Sequence, residues 1–216
     1  MNGSKVSIII DLTKPLDPSF IPYSHGSYSD PPFELSEWST IRNDGFRVSR
    51  ISLGSQSGTH IDAPAHFMEE GIALDALPPE RFMGRFFLVN LTHAPSLAEV
   101  LISLTAYREE DILFLRTPEN QSTILPREAV RQMLSLPPVV LALSGDIVIE
   151  HSDPLEFHRM VAGSAKFLVE DLDEKAAHRI TGHGEMFVFP LRVHGVSGSP
   201  CRVLVRMPSG RSTKDF

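Results

Sequence analysis

The chain has 216 residues, a formal net charge of −7 and a hydrophobic content of 42%. A chain of this length and composition can bury one sizeable core, which predicts a single domain over residues 1–216. The acidic charge and the lack of a Lys/Arg cluster argue against a nucleic-acid partner, and no stretch approaches the ~20 apolar residues of a membrane span. The single cysteine, Cys201, excludes an internal disulfide and fits a reducing compartment, so a soluble, cytoplasmic protein is expected.

The N-terminal part is predicted to combine short strands with one long loop. Residues 6–10 form an apolar run, ended by Asp11, that is too short for the hydrophobic region of a signal peptide, and a first strand is predicted at 6–12. Residues 13–32 are rich in Pro, Ser, Gly and Asp, which predicts a long ordered loop of the kind that is usually functional in a compact domain. Residues 46–53 alternate imperfectly and predict a further strand.

The rest of the chain intersperses strands with helices. Helices are predicted at 96–101, with Ser96 as its cap, at 126–136, with Pro126 in its first turn, and at 155–161. Strands are predicted at 86–91, 112–115, 139–143, 166–169, 186–189 and 203–206, with a turn at 197–200. Strands outnumber helices, which predicts an α/β or α+β domain with a mixed sheet.

The most informative segment is residues 57–67, with the sequence Ser-Gly-Thr-His-Ile-Asp-Ala-Pro-Ala-His-Phe. If it is extended, His60 and Asp62 project from one face of a strand while Ile61 points into the core. Pro64 should turn the chain, so that His66 can fold back toward the same pocket. Such a convergence suits a divalent metal with a proton-transfer group beside it. The alternative is a polar turn whose His and Asp only hydrogen-bond to each other.

Two further candidates lie downstream. His158 falls on the predicted helix at 155–161, and Glu170 follows the predicted strand at 166–169. Each alone favours an ordinary interpretation, since a helical His is more often a surface residue and a Glu beside Asp171 is more often solvated.

Together, these two groups of residues resemble the metal-dependent cyclase-like hydrolases, a family that includes bacterial kynurenine formamidase and isatin hydrolase. The resemblance rests on the run at 58–67, on Ile-Asp-Leu-Thr-Lys-Pro-Leu at 10–16, and on the segments 190–195 and 198–202. It implies a compact α/β domain with a mixed, barrel-like β arrangement and peripheral helices. It also implies a homo-oligomer, either a dimer or a tetramer.

The resemblance implies a role for each candidate. His60, Asp62, His158 and Glu170 correspond to metal ligands for one or two zinc or manganese ions, and His66 to the catalytic histidine. The family has a further histidine ligand where this chain has Gln56. Gln56 is therefore also a candidate ligand, through its amide oxygen or through a water, or else one metal position is lost. An amide oxygen donor favours harder ions over zinc.

The resemblance implies an arylformamidase, which converts N-formylkynurenine and water into kynurenine and formate. The alternatives are hydrolysis of another cyclic amide or a lactone, as in isatin hydrolase or a polyketide-type cyclase, and a non-catalytic metal-binding or small-ligand-binding relative. Tyr23, His25 and Phe46 are candidate substrate contacts, although core packing accounts for most such aromatic residues. Cys201 is expected to be a packed residue and not a nucleophile.

Overall fold

The computed structural model describes residues 7–208. Its strands are β1 (Ser7–Asp11), β2 (Ser24–His25), β3 (Tyr28–Ser29), β4 (Glu34–Ser39), β5 (Val48–Ser52), β6 (His60–Asp62), β7 (Met83–Asn90), β8 (Ile112–Arg116), β9 (Ser122–Leu125), β10 (Val140–Ser144), β11 (Asp146–Ile149), β12 (Phe167–Glu170), β13 (Glu185–Pro190) and β14 (Gly198–Pro208). Its helices are α1 (Ile41–Asp44), α2 (Leu97–Leu104), α3 (Arg127–Leu134), α4 (Glu156–Gly163) and α5 (Glu174–Ala177). Single 3₁₀ turns lie at Pro64–His66, Leu74–Ala76 and Pro79–Phe82.

Seven strands close into a mixed barrel in the order β14-β13-β7-β8-β10-β12-β6. The barrel closes because the short strand β6 pairs with both β12 and β14, antiparallel to each. The strands β7, β8, β10 and β12 run parallel to one another, and β1 lies outside the ring beside β14. The predicted α/β class, with a mixed, barrel-like β arrangement and peripheral helices, is confirmed.

The alternation of side chains along the parallel strands builds two cores. In β8, Ile112 and Phe114 join a cluster with residues of β1, β6, β13 and β14, inside the barrel. Leu113 and Leu115 join the second cluster, which lies between the sheet and the helices α2, α3 and α4. The strand is buried on both faces, which explains why it reads as a continuous apolar run and not as an alternating one.

Most predicted elements are confirmed to within a few residues. Ser96 caps α2 through a capping box, in which the Glu99 amide donates to Ser96 Oγ at 3.3 Å and the Ser96 amide donates to Glu99 Oε2 at 2.7 Å. The predicted first strand begins at Val6, and Val6 lies outside the described residues. Among residues 7–208, none of the helices has the length and apolar character needed to cross a membrane.

The predicted turn at 197–200 is wrong. Gly198, Ser199 and Pro200 belong to β14 and pair with Asp62, Ile61 and His60 of β6. Gly and Pro favour a turn locally, but the pairing that closes the barrel keeps this segment extended. The strands β4, β9 and β11 were not predicted, nor were the two-residue strands β2 and β3, which form a short hairpin inside the predicted long loop at 13–32. β9 and β11 form a small parallel sheet beside the barrel, and within residues 7–208 β4 pairs only with β5, in a separate hairpin.

Candidate metal centre and active site

The strand that closes the barrel places the first half of the site. In β6, His60 and Asp62 share one face, while Ile61 is fully buried on the other. The register of β6 against β12 sets His60 directly opposite Glu170. Residues directly opposite each other on neighbouring strands share a face, so this pairing brings Glu170 to the side of the sheet that carries His60 and Asp62.

A hydrogen bond behind the ring orients His60. Its Nδ1 lies 2.7 Å from the carbonyl oxygen of Gly58. A carbonyl can only accept, so Nδ1 carries a proton, and in the neutral ring the lone pair is on Nε2. Nε2 lies 3.4 Å from Asp62 Oδ1 and 3.2 Å from Glu170 Oε1. Gly58 has a φ of +61°, a left-handed conformation that favours glycine, and a Cβ there would lie 2.8 Å from the end of the Leu16 side chain.

Glu170 connects the two histidines of the site. Its Oε2 lies 2.9 Å from Nε2 of His158, which α4 holds beside β12. Burial raises the pKa of Glu170, but the hydrogen bonds and charges of His158 and His60 outweigh burial and hold this pKa well below its usual range. Burial lowers the pKa values of His60 and His158, and their carboxylate neighbours outweigh it and raise both.

The geometry of the cluster fits a divalent cation. Asp62 is buried, and its Oδ1 has no hydrogen-bond partner among the described residues, which is costly for a carboxylate oxygen. One ligand atom each from His60, Asp62 and Glu170 lies within 4.8 Å of the other two. Ligands of a tetrahedral ion, with bonds of about 2.0–2.2 Å, lie about 3.3–3.6 Å apart. The separations of 3.4 and 3.2 Å around His60 Nε2 are close to that range.

His66 reaches the same cleft through a single turn. The predicted change of direction at Pro64 is confirmed as the 3₁₀ turn Pro64–His66. The His66 ring packs edge-on against Phe67 at a centroid distance of 4.4 Å, and Phe67 in turn lies 5.8 Å from the ring of His158. The Phe67 ring therefore contacts the imidazoles of both His66 and His158, and all three side chains line one cleft.

Hydrogen bonds to its neighbours occupy both atoms of the Gln56 amide. Its Oε1 accepts from Ser55 Oγ at 2.6 Å, and its Nε2 donates to Ser197 Oγ at 3.3 Å. Nε2 also lies 3.4 Å from His66 Nδ1. The side chain predicted as a candidate ligand thus lines the cleft and contacts the predicted catalytic histidine.

The cleft has a volume of about 370 Å³. All six predicted metal and catalytic residues line it: Gln56, His60, Asp62, His66, His158 and Glu170. Of the three predicted substrate contacts, Tyr23 lines it as well. His25, in β2, and Phe46, just before β5, are exposed, and neither lines the cleft as the described residues form it.

Further lining residues were missed in the sequence. Gly145 and Asp146 follow the parallel strand β10, and Asp171 follows its neighbour β12. The carboxyl ends of parallel strands meet at one edge of a sheet, so polar residues just after each apolar run were the available signal. Asp146 Oδ2 accepts from Ser122 Oγ at 2.8 Å, and the negative charge of Asp146 contributes to the raised pKa of His158.

Comparison with known proteins gives both sequence and structural relatives. Kynurenine formamidase of Bacillus thuringiensis (strain Al Hakam) is 24% identical over 213 residues, which cover 94% of this chain and 99% of that protein. Isatin hydrolase A from Labrenzia aggregata, solved with bound benzyl benzoate, has a TM-score of 0.80 at 18% identity, covering 94% of each chain. A predicted metal-dependent hydrolase from Bacillus stearothermophilus has a TM-score of 0.70 at 21% identity, covering 93% of this chain and 98% of that one.

The structural neighbours show that the fold is shared. The family model described as putative cyclase matches residues 10–177. This range contains β6, β12 and α4, and with them every member of the candidate metal cluster. It covers well over half of the chain, and the protein therefore belongs to the putative cyclase family.

Proposed function

We propose that this protein is a metal-dependent amidohydrolase that acts on a small aryl-amide, with N-formylkynurenine as the first substrate to test. One observation carries the proposal: the His60, Asp62 and Glu170 ligand atoms lie within 4.8 Å of one another in a cleft that also contains His66. A buried ligand cluster beside a group that can transfer protons is the arrangement that hydrolytic metal centres use.

We propose that His60, Asp62 and Glu170 bind the ion and that His158 completes the set, since its Nε2 already contacts Glu170 at 2.9 Å. A divalent cation at this position would supply a Lewis acid and an acidified water. The neighbours of the Gln56 amide favour one ion per chain, with Gln56 outside its coordination shell. Two imidazoles beside two carboxylates suit zinc and manganese, and carboxylate donors shift the preference toward manganese.

His66 is the proposed proton-transfer residue. It lines the cleft without being part of the carboxylate cluster, so one of its ring nitrogens is free to face a substrate. Imidazole groups exchange protons near neutral pH, which suits protonation of the leaving nitrogen when the amide C–N bond breaks. An arylamine leaves more readily than an alkylamine, because its lone pair is delocalised into the ring.

The walls of the cleft fit an aromatic amide. Phe20, Ile21, Tyr23 and Phe67 supply apolar and aromatic surface in the same cleft as the acidic and imidazole groups. A volume of about 370 Å³ lies within the range of about 300–1,000 Å³ that is typical of small-molecule sites. We propose that the ring of the substrate packs against this wall and that its amide carbonyl faces His60 and Asp62.

Metal analysis followed by formate release tests the proposal. The purified protein should contain zinc or manganese and should release formate from N-formylkynurenine. A chelator should stop the reaction, and either ion should restore it. N-formylalanine, which has an alkylamine leaving group, is the matched control and should react more slowly. Formate release that persists after complete removal of the metal would contradict the proposed mechanism.

A second candidate substrate class is a cyclic amide of the isatin type. It is favoured by the TM-score of 0.80 to an isatin hydrolase that covers 94% of both chains. Ring opening of isatin, measured on the same metal-loaded sample, decides between the two substrates. Turnover of isatin without formate release would assign the cyclic amide, and tight metal binding without turnover of either would assign a non-catalytic relative.

We propose that the protein is a homodimer, and that residues 34–52 form the contact. This hairpin arm consists of β4, α1 and β5, and its sheet pairs with no other strand among the described residues. Its exposed large apolar side chains are Leu35, Trp38, Ile41, Phe46, Val48 and Ile51. A two-stranded sheet is marginally stable alone, and a standard interface takes about 20–30 residues from each side, a number close to the length of this arm.

The mass of the protein in solution tests the dimer. Trp38 is 72% exposed, so its replacement by Ser should leave the fold intact but raise the monomer fraction in sedimentation experiments. Ile102→Ser, at an apolar position on α2 that is 70% exposed, is the matched control and should stay dimeric. A wild-type protein that is monomeric at micromolar concentration would contradict the proposal.

We also propose a single domain over residues 1–216. We further propose a cytoplasmic location, which is favoured by the single, buried cysteine.

A further inference from the structure

One buried hydroxyl links the two strands that carry the candidate metal cluster. Thr59 immediately precedes His60 in the chain, and Asp171 immediately follows Glu170. Thr59 is 3% exposed, and its Oγ1 donates to the Asp171 carbonyl oxygen at 2.7 Å. A side chain outside the candidate ligand set therefore joins the residues next to two of the ligands.

This hydrogen bond lies where the backbone pairing of β6 with β12 ends. The last pair in the register is His60 with Glu170. The next pair would be Thr59 with Asp171, but Asp171 has a φ of +55° and leaves the extended conformation. The Thr59 hydroxyl thus holds the Asp171 carbonyl at the point where the regular pairing of the two strands stops.

The partners of the hydroxyl determine its orientation. A backbone amide can only donate a hydrogen bond, and a carbonyl oxygen can only accept one. The Lys14 amide donates to Thr59 Oγ1 at 2.9 Å, so the hydroxyl hydrogen is free to be donated to the Asp171 carbonyl. Each of the two hydrogen bonds therefore has only one possible direction.

The N-terminal segment that contains Lys14 also holds the turn after Glu170. The Lys14 ammonium pairs with the Asp171 carboxylate. The Asp173 amide donates to the Leu12 carbonyl at 2.8 Å. A residue other than glycine keeps a left-handed φ only where its surroundings fix it, and these contacts fix Asp171.

We propose that Thr59 is a positioning residue for the metal centre, and that its hydroxyl sets the separation of His60 and Glu170 before an ion binds. The inference rests on the proposed ligand set. A shift of the Asp171 carbonyl would move the end of β12, and with it the Glu170 carboxylate, whose Oε1 now lies 3.2 Å from His60 Nε2. Groups that orient ligands from outside the coordination shell raise metal affinity in this way.

Four variants separate this role from a merely structural one. Thr59→Val removes the hydroxyl and keeps the shape of the side chain, whereas Thr59→Ser keeps the hydroxyl. Thr123→Val is the matched control, because buried Thr123 Oγ1 donates to the Thr92 carbonyl at 2.9 Å and lies outside the described residues that line the cleft. Lys14→Met removes the ion pair with Asp171 at a side chain that is 42% exposed, so this variant should fold even if Thr59→Val does not.

Competition with a chelator for zinc and for manganese gives the metal affinity of each folded variant. Thr59→Val should bind both ions about tenfold more weakly than the wild type, the lower end of the losses seen when supporting groups are removed. Lys14→Met should lose about threefold, because a partly exposed ion pair contributes less. Thr59→Ser and Thr123→Val should match the wild type. An unchanged affinity in Thr59→Val, or in Lys14→Met if the first variant does not fold, would overturn the proposal, as would an equal loss in Thr59→Ser.

Hydrogen exchange of the metal-free chain, measured by mass spectrometry, forms the second arm. The amides of β12 should exchange about tenfold faster in Thr59→Val than in the wild type, because the end of the strand loses a hydrogen bond. The amides of β8, two strands away in the barrel, are the internal control and should be unchanged. Equal exchange of β12 in the two proteins would overturn the inference. A wild type that binds neither ion would contradict the proposed function, and the exchange of β12 would still decide whether Thr59 holds this segment.

Discussion

Glu170 lies directly opposite His60 across the pairing of β12 with β6, and its Oε1 is 3.2 Å from His60 Nε2. Its second oxygen contacts His158 at 2.9 Å. One carboxylate thus joins a strand residue from the first third of the chain to a helix residue from the last third. The closure of the barrel, and not any local motif, assembles the candidate metal centre.

Replacement of His66 by Ala should preserve the metal and abolish most turnover. His66 is absent from the ligand cluster, so the ion should remain bound. Loss of a general acid–base group lowers kcat by a factor of about 10²–10⁴. Metal content by mass spectrometry and formate release measure the two effects. His183→Ala, outside this cleft, is the control, and stoichiometric loss of metal in His66→Ala would show that His66 is a ligand.

Replacement of Asp62 by Asn should release the metal. Asp62 Oδ1 is buried without a partner among the described residues and lies 3.4 Å from His60 Nε2. An uncharged amide is a much weaker ligand, so affinity should fall at least about 100-fold, the upper end of the losses seen when supporting groups around metals are removed. Asp146→Asn, in the same cleft but outside the cluster, should keep its metal. Equal affinities in the two variants would contradict the proposed ligand set.

Replacement of Gln56 by His should raise the affinity for zinc relative to manganese. Gln56 lines the same cleft as Asp62, so an imidazole at position 56 can reach the cluster. Imidazole is a better zinc donor than an amide oxygen. Competitive titration of the wild type and the variant with both ions gives the change. Unchanged affinities for both would place position 56 beyond the reach of the ion.

Replacement of Gly198 by Ala should destabilise the protein. The added Cβ would lie 2.7 Å from Gln56 Nε2 and 2.8 Å from the Ile61 carbonyl oxygen, and the backbone oxygen cannot move without disturbing the pairing of β14 with β6. Overpacking of this kind costs about 1–3 kcal/mol. Gly163→Ala is the matched control, because a Cβ there meets nothing within 4 Å. Denaturant unfolding of both variants tests it, and equal free energies of unfolding would contradict the prediction.

Cys201 should be unreactive in the folded protein. It is 7% exposed, and burial raises the pKa of its thiol to about 12. The thiolate is the reactive form, so an aromatic disulfide reagent at pH 8 should modify it only after unfolding. The unfolded thiol ionises at lower pH than the folded one, so this group removes stability as the pH rises above 9.0. Above that pH, the free energy of unfolding of Cys201→Ala should decline less steeply than that of the wild type. Rapid labelling of Cys201 in the native wild-type protein would contradict the prediction.

Local patterns were sufficient for much of the fold. The apolar runs that became β8, β10 and β12 were predicted, because strands buried on both faces are continuously hydrophobic. The cap of α2 and the turn at Pro64 follow equally from local chemistry. The turn predicted at 197–200 was wrong for the opposite reason, since pairing with a distant strand outweighed the local preference of Gly and Pro.

The sequence by itself determined which side chains can bind a metal and that His60 and Asp62 share a face, because the period of a strand is a local property. Only the tertiary structure decided that Glu170 stands opposite His60, that the Gln56 amide contacts His66, and that residues 34–52 leave the barrel. These features depend on strand register and on barrel closure. Both arise from pairing between segments far apart in the chain, and no periodicity within either segment encodes which residues will meet.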